Sequence, residues 1–297
     1  MKKSKKLIFF GNERLATAVS TDIPVLKTLI ENGYEITTVV SNYTPGRSRN
    51  SRELEIAEVT GTHNIPLLLP EKLTEIKDQL QALGAEAAVL VAYGRIVPTD
   101  IIDIFPHGII NIHPSLLPKY RGPTPIEQAI LDGVSKTGVS LMKLAAKMDA
   151  GPVFAQKTMG LSGKETKQDL ADKLLQLGSE LLIENLPAIL DGSLTPKDQD
   201  NAHATYSQLL KRQDGLVNWS LSADKIERQI RAFTGFPKSQ AKILGHDVII
   251  TKTRVAKDKN DGDLVVKCRR SWLEIQELTA PSGRIMTGAD FLRGYKR

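Results

Sequence analysis

Cysteine is almost absent. The 297 residues contain one, Cys268, so no internal disulfide can form and nothing in the chain calls for an oxidising compartment. Long apolar runs are missing as well. The run LIFF at residues 7–10 is far too short for the hydrophobic stretch of a signal peptide or for a membrane span, and it reads as a first strand. No other segment has the length to cross a bilayer, and the expectation is a cytoplasmic protein. The five histidines, at 63, 107, 113, 203 and 246, form no HxH, HExxH or Cys/His pair, which leaves a zinc site without support. Gly11 follows the first strand, but GNERLA has neither the GxGxxG spacing nor the GK[ST] of a phosphate-cradling loop. Cys268 sits between Lys267 and Arg269, a setting that lowers a thiol pKa, yet a lone Cys in a β segment is usually structural.

What remains is ordinary globular material, 41% hydrophobic and 25% charged, and long enough for two domains. The net charge of +6 is unevenly placed. Residues 201–297 hold 18 Lys and Arg against 10 Asp and Glu, leaving 22 and 24 for residues 1–200, so the last third carries +8 and the rest −2. Two readings stay open at this point: a solvated basic surface, or a polyanion-binding module attached to a neutral domain.

Strands and helices alternate along the first part of the chain. KKLIFF (5–10) is followed by a helical pattern in IPVLKTLIENG, with Pro24 early and Gly33 as its stop, and YEITTVVS returns as a strand. RELEIAEVTGTHN reads as helix, IPLLL as a short strand, LTEIKDQLQALG as helix and AAVLVA as a buried strand. A helical turn near Pro98–Ile104 precedes the strand GIINIH. TGVSLMKLAAKMDAGPVFAQKTM reads as two strands around a turn at Asp149–Pro152, and ETKQDLADKLLQLGSELLIENLPAILDG as a long amphipathic helix. This spacing predicts a doubly wound, mostly parallel sheet, in which ligands collect at the carboxyl ends of strands. Residues 191–205 read as a linker. Beyond it, WSLSADKIERQIRAFTG predicts one helix with Ser222 placed to cap it, and short strands (QAKILG, DVIITKTRV, DLVVKCR, LEIQELT) predict a small β-barrel.

The stretch Asn111–Gly122, NIHPSLLPKYRG, is the place where chemistry is expected. Asn111 and His113, at i and i+2 on a strand, leave the same face and address one point in space. An amide N–H and a ring N–H aimed together suit an oxyanion, and such a pair needs a carboxylate to orient the imidazole and take up protons. Asp149 is the best-placed candidate, ahead of Asp103 and Asp132. The competing reading is that Asn111 and His113 merely satisfy loop backbone, as polar residues at strand ends often do.

NIHPSLLPKYRG, with KMDAGPV about thirty residues on, closely resembles the signature of the folate-dependent formyltransferases, over nearly the whole chain. The resemblance implies a Rossmann-like formyltransferase domain that uses 10-formyltetrahydrofolate as donor, with no metal. It places the catalytic trio on Asn111, His113 and Asp149, the folate-binding loop on Ser115, Leu116, Leu117 and Pro118, and a pterin cradle on VAYGRIVP (91–98), through Ala92, Tyr93, Gly94 and Ile96. WSLSADKIERQIRAF and the ending GADFLRGYK look like the second domain of the methionyl-tRNA branch of that family, a helix with an OB-like barrel. That implies methionyl-tRNA as acceptor, with no role for DNA or membrane, and favours the RNA-binding reading of the basic C-terminal part. The implied division is a catalytic domain over 1–190, a linker over 191–205 and a tRNA-binding domain over 206–297. SNYTPGRSRNSR corresponds to a basic family loop that engages the acceptor arm through Arg47, Arg49 and Arg52.

Four departures accompany the resemblance. Gly11-Asn12-Glu13-Arg14 stands where the family has a GTP-type turn, the basic loop lacks a lysine pair, RAF continues as TGFPKS, and the barrel lacks a strand around VAKDKNDGDL. The first implies an altered methionyl pocket and the last a shortened barrel. Arg121 admits two readings, a contact to donor or RNA charge or a brace for its own loop. Two rivals to the methionyl-tRNA reading are a formyltransferase acting on an amino-sugar nucleotide and a non-catalytic binding protein of the same fold.

Overall fold

The computed structural model describes residues 5–42 and 54–295; the loop carrying Arg47, Arg49 and Arg52 lies outside them. Strands β1 (Lys6–Gly11) and β2 (Glu35–Val40) flank helix α1 (Pro24–Glu31), and α2 (Glu55–Thr62) leads to the two-residue β3 (Leu67–Leu68). A 3-10 turn at Leu73–Ile76 runs into α3 (Lys77–Ala82), followed by β4 (Ala87–Val91), the short α4 (Thr99–Ile102), β5 (Ile109–His113) and α5 (Pro125–Asp132). The antiparallel pair β6 (Lys136–Lys143) and β7 (Val153–Gly160) precedes the long α6 (Lys167–Leu190).

The seven strands lie in the order β3-β2-β1-β4-β5-β6-β7. β1 to β5 run parallel, and β6 reverses against β5, with His113 opposite Ser140 and Asn111 opposite Met142. Both faces are covered, which is why β1, β4 and β5 are apolar without alternation. Leu7, Phe9, Val89, Ile110 and Ile112 face one core with α1 and α6, whereas Ile8, Phe10, Ala88, Leu90 and Ile109 face the other with α3 and α4. The odd positions of β5 therefore turn Asn111 and His113 toward the second face, on the side of Tyr93 and Val97.

After α6 the chain does not hang free. Val153 and Lys197 exchange backbone hydrogen bonds (2.8 and 2.9 Å), Arg121 N donates to Thr205 O (2.9 Å), and Ser207 N donates to Arg121 O (2.8 Å). Helix α7 (Ala223–Ala232) then opens a curled antiparallel sheet of five strands, β8 (Ser239–Ile243), β9 (His246–Ala256), β10 (Val265–Cys268), β11 (Ser271–Thr279) and β12 (Ile285–Thr287), and α8 (Gly288–Tyr295) follows. The order is β10-β11-β9-β8, with β12 on β11, an architecture of a small barrel domain. As expected, residues 257–264 hold no strand. β12 and α8 escape the sequence pattern: α8 contains two glycines and is held by Phe291, which is fully buried and stacked on Tyr295 at 4.6 Å between ring centres. The expected Ser222 cap is replaced. Ser222 makes no side-chain cap bond, and the first helical amide, Ala223 N, donates instead to Ser271 Oγ on β11 at 2.8 Å.

The two parts are tied by α7. Ala232 and Phe233 at its end belong to the core of the large sheet, Arg231 donates to Glu165 O (2.7 Å), and the buried Lys167 ammonium donates to Phe236 O (3.0 Å) while lying 3.7 Å from Glu127. Burial raises the Glu127 pKa and lowers that of Lys167, the direction expected when two charges share a dry interface.

The departure at Gly11-Asn12-Glu13-Arg14 has a structural explanation in Glu13. Its carboxylate turns inward, fully buried, and accepts the first free amides of α1, Val25 N at 2.9 Å and Leu26 N at 2.8 Å. It thus caps a helix whose own preceding residue, Ile23, is left-handed and offers no side-chain oxygen. Gly11 is required beside it, because a Cβ there would lie 1.8 Å from Val91 O at φ +128°. Burial pushes the Glu13 pKa from 4.5 up to about 7, against the pull of the two amides. Between those values the folded chain keeps a proton that the unfolded chain has lost, so this group makes stability fall as pH rises. Glu13→Gln removes that component: urea midpoints taken at pH 5 and pH 8 are expected to differ less in the variant than in the wild type, and an unchanged difference would contradict the assignment.

Candidate active site

Asn111 and His113 close the buried strand β5. His113 is 4% exposed and Asn111 7%. The His113 ring is fixed from one side, with Nε2 lying 3.0 Å from Tyr120 O. A carbonyl only accepts, so Nε2 carries a hydrogen and Nδ1 is the ring atom left for chemistry. Nδ1 faces Asp149 Oδ1 at 3.8 Å, an ion-pair separation without a direct hydrogen bond. The other Asp149 oxygen is held by Gly122 N at 2.7 Å. The Asn111 amide has no hydrogen-bond partner among the described residues, although both its strand neighbours, Leu90 and Met142, are apolar. The structure therefore brings the His113 imidazole and the Asp149 carboxylate together, with Asn111 two residues earlier on the same face of β5.

Asp149 arrives there through the connection between β6 and β7. This turn is tight at both ends: Lys143 N donates to Pro152 O (2.8 Å), and Asp149 itself is left-handed at φ +46°. A Cβ on Gly151 would lie 1.9 Å from Lys143 O, so that position accepts glycine alone.

Ser115, Leu116, Leu117 and Pro118 form a rigid wall beside His113. The Ser140 hydroxyl sits at its centre, donating to Ser115 O (2.6 Å) and accepting from Leu117 N (3.0 Å) and Gln156 Nε2 (2.8 Å), while Gln156 also donates to Leu117 O (2.8 Å). Ser140 and Gln156 carry no sequence signal of their own; their role follows from the register of β5, β6 and β7. On the other side, β4 ends in a turn with Ala92 at φ +52° and Gly94 at φ +75°. Outside the strand ladders, no backbone hydrogen bond among the described residues uses the peptide groups of Ala92, Tyr93, Gly94, Arg95 or Ile96. Ile96 stands 83% exposed, and the buried Tyr93 hydroxyl, Asn42 Oδ1 and Ser41 Oγ have no hydrogen-bond partner among the described residues. Free peptide groups next to an exposed apolar side chain are what a flat heteroaromatic ring with donors and acceptors on its rim requires. The residues present thus fit a pterin.

Arg121 is settled by its surroundings. It is 0% exposed and donates to Gln199, Asn201 and Tyr206, which makes it a brace for its loop. Tyr120 is held at φ +57°, and its hydroxyl donates to Asp132 at 2.9 Å. Burial, and then Asp132, push its pKa up to about 12, so it stays protonated and structural. Burial pushes the Cys268 thiol up to about 11, consistent with packing and against a nucleophile. No group of His, Cys, Asp and Glu among the described residues is arranged to hold a metal ion, and no described helix is long and apolar enough to cross a membrane. Arg47, Arg49 and Arg52 fall outside the described residues.

Known proteins resemble the chain over nearly its full length. Residues 17–186 match the formyl transferase family model and residues 209–296 match that of the formyl transferase C-terminal domain. The chain is 36% identical to methionyl-tRNA formyltransferase of Thermodesulfovibrio yellowstonii, an alignment covering 99% of this chain and 97% of that one. It is 35% identical to the enzyme of that name from Chloroflexus aurantiacus, with 97% and 96% covered. Among solved structures, HypX of Aquifex aeolicus bound to tetrahydrofolic acid is similar in fold (TM-score 0.66, 15% identity, 99% of this chain and 47% of that one). So is methionyl-tRNA formyltransferase of Clostridium thermocellum (TM-score 0.58, 16% identity, 95% and 98%). The N-formyltransferase of Helicobacter canadensis in complex with folinic acid and dTDP-3-aminofucose shares the fold at TM-score 0.64 and 20% identity, over 91% and 98%. With 35–36% identity over nearly its full length to the first two and only fold similarity to the Helicobacter canadensis enzyme, the chain belongs to the formyl transferase family, among the methionyl-tRNA formyltransferases.

Proposed function

We propose that the protein transfers the formyl group of 10-formyltetrahydrofolate to the α-amine of methionyl-tRNA, giving the formylated initiator for translation in the cytoplasm. The observation that supports this chemistry is the approach of the Asp149 carboxylate to within 3.8 Å of His113 Nδ1, beside Asn111, which shares the His113 face of β5. In the reaction the amine nitrogen forms a bond to the formyl carbon, the bond from that carbon to the donor nitrogen breaks, and one proton passes from the attacking to the leaving nitrogen. The Asn111 amide donates to the formyl oxygen as negative charge develops on it. His113 donates to the same oxygen from Nδ1 in its doubly protonated form, with Asp149 as counter-ion, since Nε2 is committed to Tyr120 O. Asp149 also receives and returns the proton of the amine through the gap in front of Nδ1. No side chain is acylated: the donor's formyl group is already activated, and placement of the two nitrogens supplies much of the acceleration.

In this reading Ala92, Tyr93, Gly94 and Ile96 cradle the pterin and Ser115, Leu116, Leu117 and Pro118 line the rest of the donor site. Residues 1–190 carry the chemistry, 191–205 link, and 206–297, with the basic surplus, bind tRNA together with Arg47, Arg49 and Arg52. Phosphate contacts in the second domain position the acceptor end while the first domain meets only its tip.

Asn111→Ala and His113→Ala are each expected to lower turnover by roughly 10² to 10³ or more, the cost of losing an oxyanion donor. Asn111→Ala should leave the melting temperature close to wild type because its amide has no partner among the described residues, and near-normal turnover in either purified variant would sink the assignment. For RNA, Arg47→Ala with Arg49→Ala should raise KM for tRNA with donor affinity little changed, and wild-type affinity for tRNA should fall steeply between about 50 and 200 mM salt. Binding that does not respond to salt would refute the phosphate-contact reading.

A further inference from the structure

Arg121 presents an unusual economy. Its guanidinium is fully buried, yet every acceptor around it is neutral: Gln199 Oε1 receives Nε at 3.0 Å and Nη2 at 2.8 Å, Asn201 Oδ1 receives Nη2 at 2.9 Å, and the Tyr206 hydroxyl lies 3.3 Å from Nη1. A buried cation is ordinarily matched by a carboxylate, which meets the guanidinium fork and cancels its charge. The amide at 199 is explained by its other end. Gln199 Nε2 donates one hydrogen to Asp149 O at 2.9 Å and the second to Gly151 O at 2.7 Å. Both lone pairs and both hydrogens of this amide are in use. A carboxylate at the same place would satisfy Arg121 and repel two carbonyls.

The two carbonyls belong to the turn that carries Asp149, whose φ of +46° is unfavourable for a residue with a Cβ and needs to be held from outside. Gln199 holds its backbone, and Gly122, the residue after Arg121, holds its carboxylate through the 2.7 Å bond to Oδ2. Arg121 is itself pinned on both peptide groups by Thr205 and Ser207. The segment after α6 is therefore built into the site by a chain of contacts from 205–207 through Arg121 and Gln199 to the Asp149 turn.

We propose that Gln199, locked by Arg121, is a positioning residue for Asp149: it sets the distance of the carboxylate from His113 Nδ1 without touching substrate. The inference rests on the formyl-transfer reading above, and it makes the connection between the two parts of the chain a component of the catalytic geometry. A displacement of about 1 Å in a reacting group lowers rate by up to about a hundredfold.

The test is steady-state formylation of methionyl-tRNA by full-length wild type, Gln199→Glu and Gln199→Ala, with folding checked by circular dichroism and thermal melting. Gln199→Glu keeps the bond to Arg121 and loses both donors to the turn; Gln199→Ala loses all four contacts. Both are expected to show kcat lower by about ten- to a hundredfold with KM for either substrate little changed, the pattern of a group acting on the transition state alone. Should the Glu variant fail to fold, the Ala variant decides. Wild-type kcat in a folded variant would overturn the proposal, as would a raised KM at unchanged kcat, which would make Gln199 a substrate-binding residue. If the wild type does not formylate methionyl-tRNA, the functional reading fails by itself. Positioning is then read without substrate, from the imidazole 15N chemical shifts of His113: they move in Gln199→Ala if Gln199 places Asp149, and wild-type shifts would overturn the proposal.

Discussion

A polar strand end buried inside a sheet loses its water and calls for protein partners, and that constraint organises this molecule. β5 could have ended in another isoleucine at far lower cost. It ends in His113, whose ring needs the Tyr120 carbonyl, which in turn requires the Tyr120–Gly122 turn to stand where it does. That turn is held by residues 205–207, and the Gly122 amide is spent on Asp149. The groups left over after this matching are the Asn111 amide and His113 Nδ1 with the facing carboxylate oxygen. Chemistry is assigned to the atoms the fold leaves free.

The apolar sequence signals carried the frame well. β1, β4 and β5 read as buried strands because both faces of the sheet are covered, and the Gly-Pro pair at 151–152 marked the turn that delivers Asp149. Asn111 and His113 stood out because polar residues at alternate positions of such a run need a reason. What the sequence did not disclose depends on distant partners. Glu13 looks like a surface charge in GNERLA, and only the folded chain brings the amides of Val25 and Leu26 to it. Gln199 sits in a polar stretch with the texture of a tether, and its value comes from Arg121, Asp149 and Gly151, which lie 78, 50 and 48 residues away. Ser222 has the right type and place for a cap, but Ser271 on β11 reaches the helix amide. Local propensity sees none of these choices.

The large sheet and the smaller curled sheet share more than a covalent link. Phe233 inserts into the core of the first, and Lys167 reaches across to the backbone of Phe236. A basic domain packed firmly against the larger one suits the proposed acceptor, far larger than the reacting amine, because fixed phosphate contacts would then translate into a fixed position of its tip. Fold similarity extends to a sugar 3N-formyl transferase, so the acceptor is distinguished by sequence similarity over nearly the full length and by charge, and not by the fold.

The most direct measurement offers the purified protein 10-formyltetrahydrofolate labelled in the formyl carbon together with three amines in separate reactions: charged initiator tRNA, glycinamide ribonucleotide and an amino-sugar nucleotide. The label should move to the methionyl α-amine of the charged tRNA and to neither of the others at a comparable rate. Preferential labelling of a small-molecule amine, or no transfer to the tRNA at all, would contradict the account.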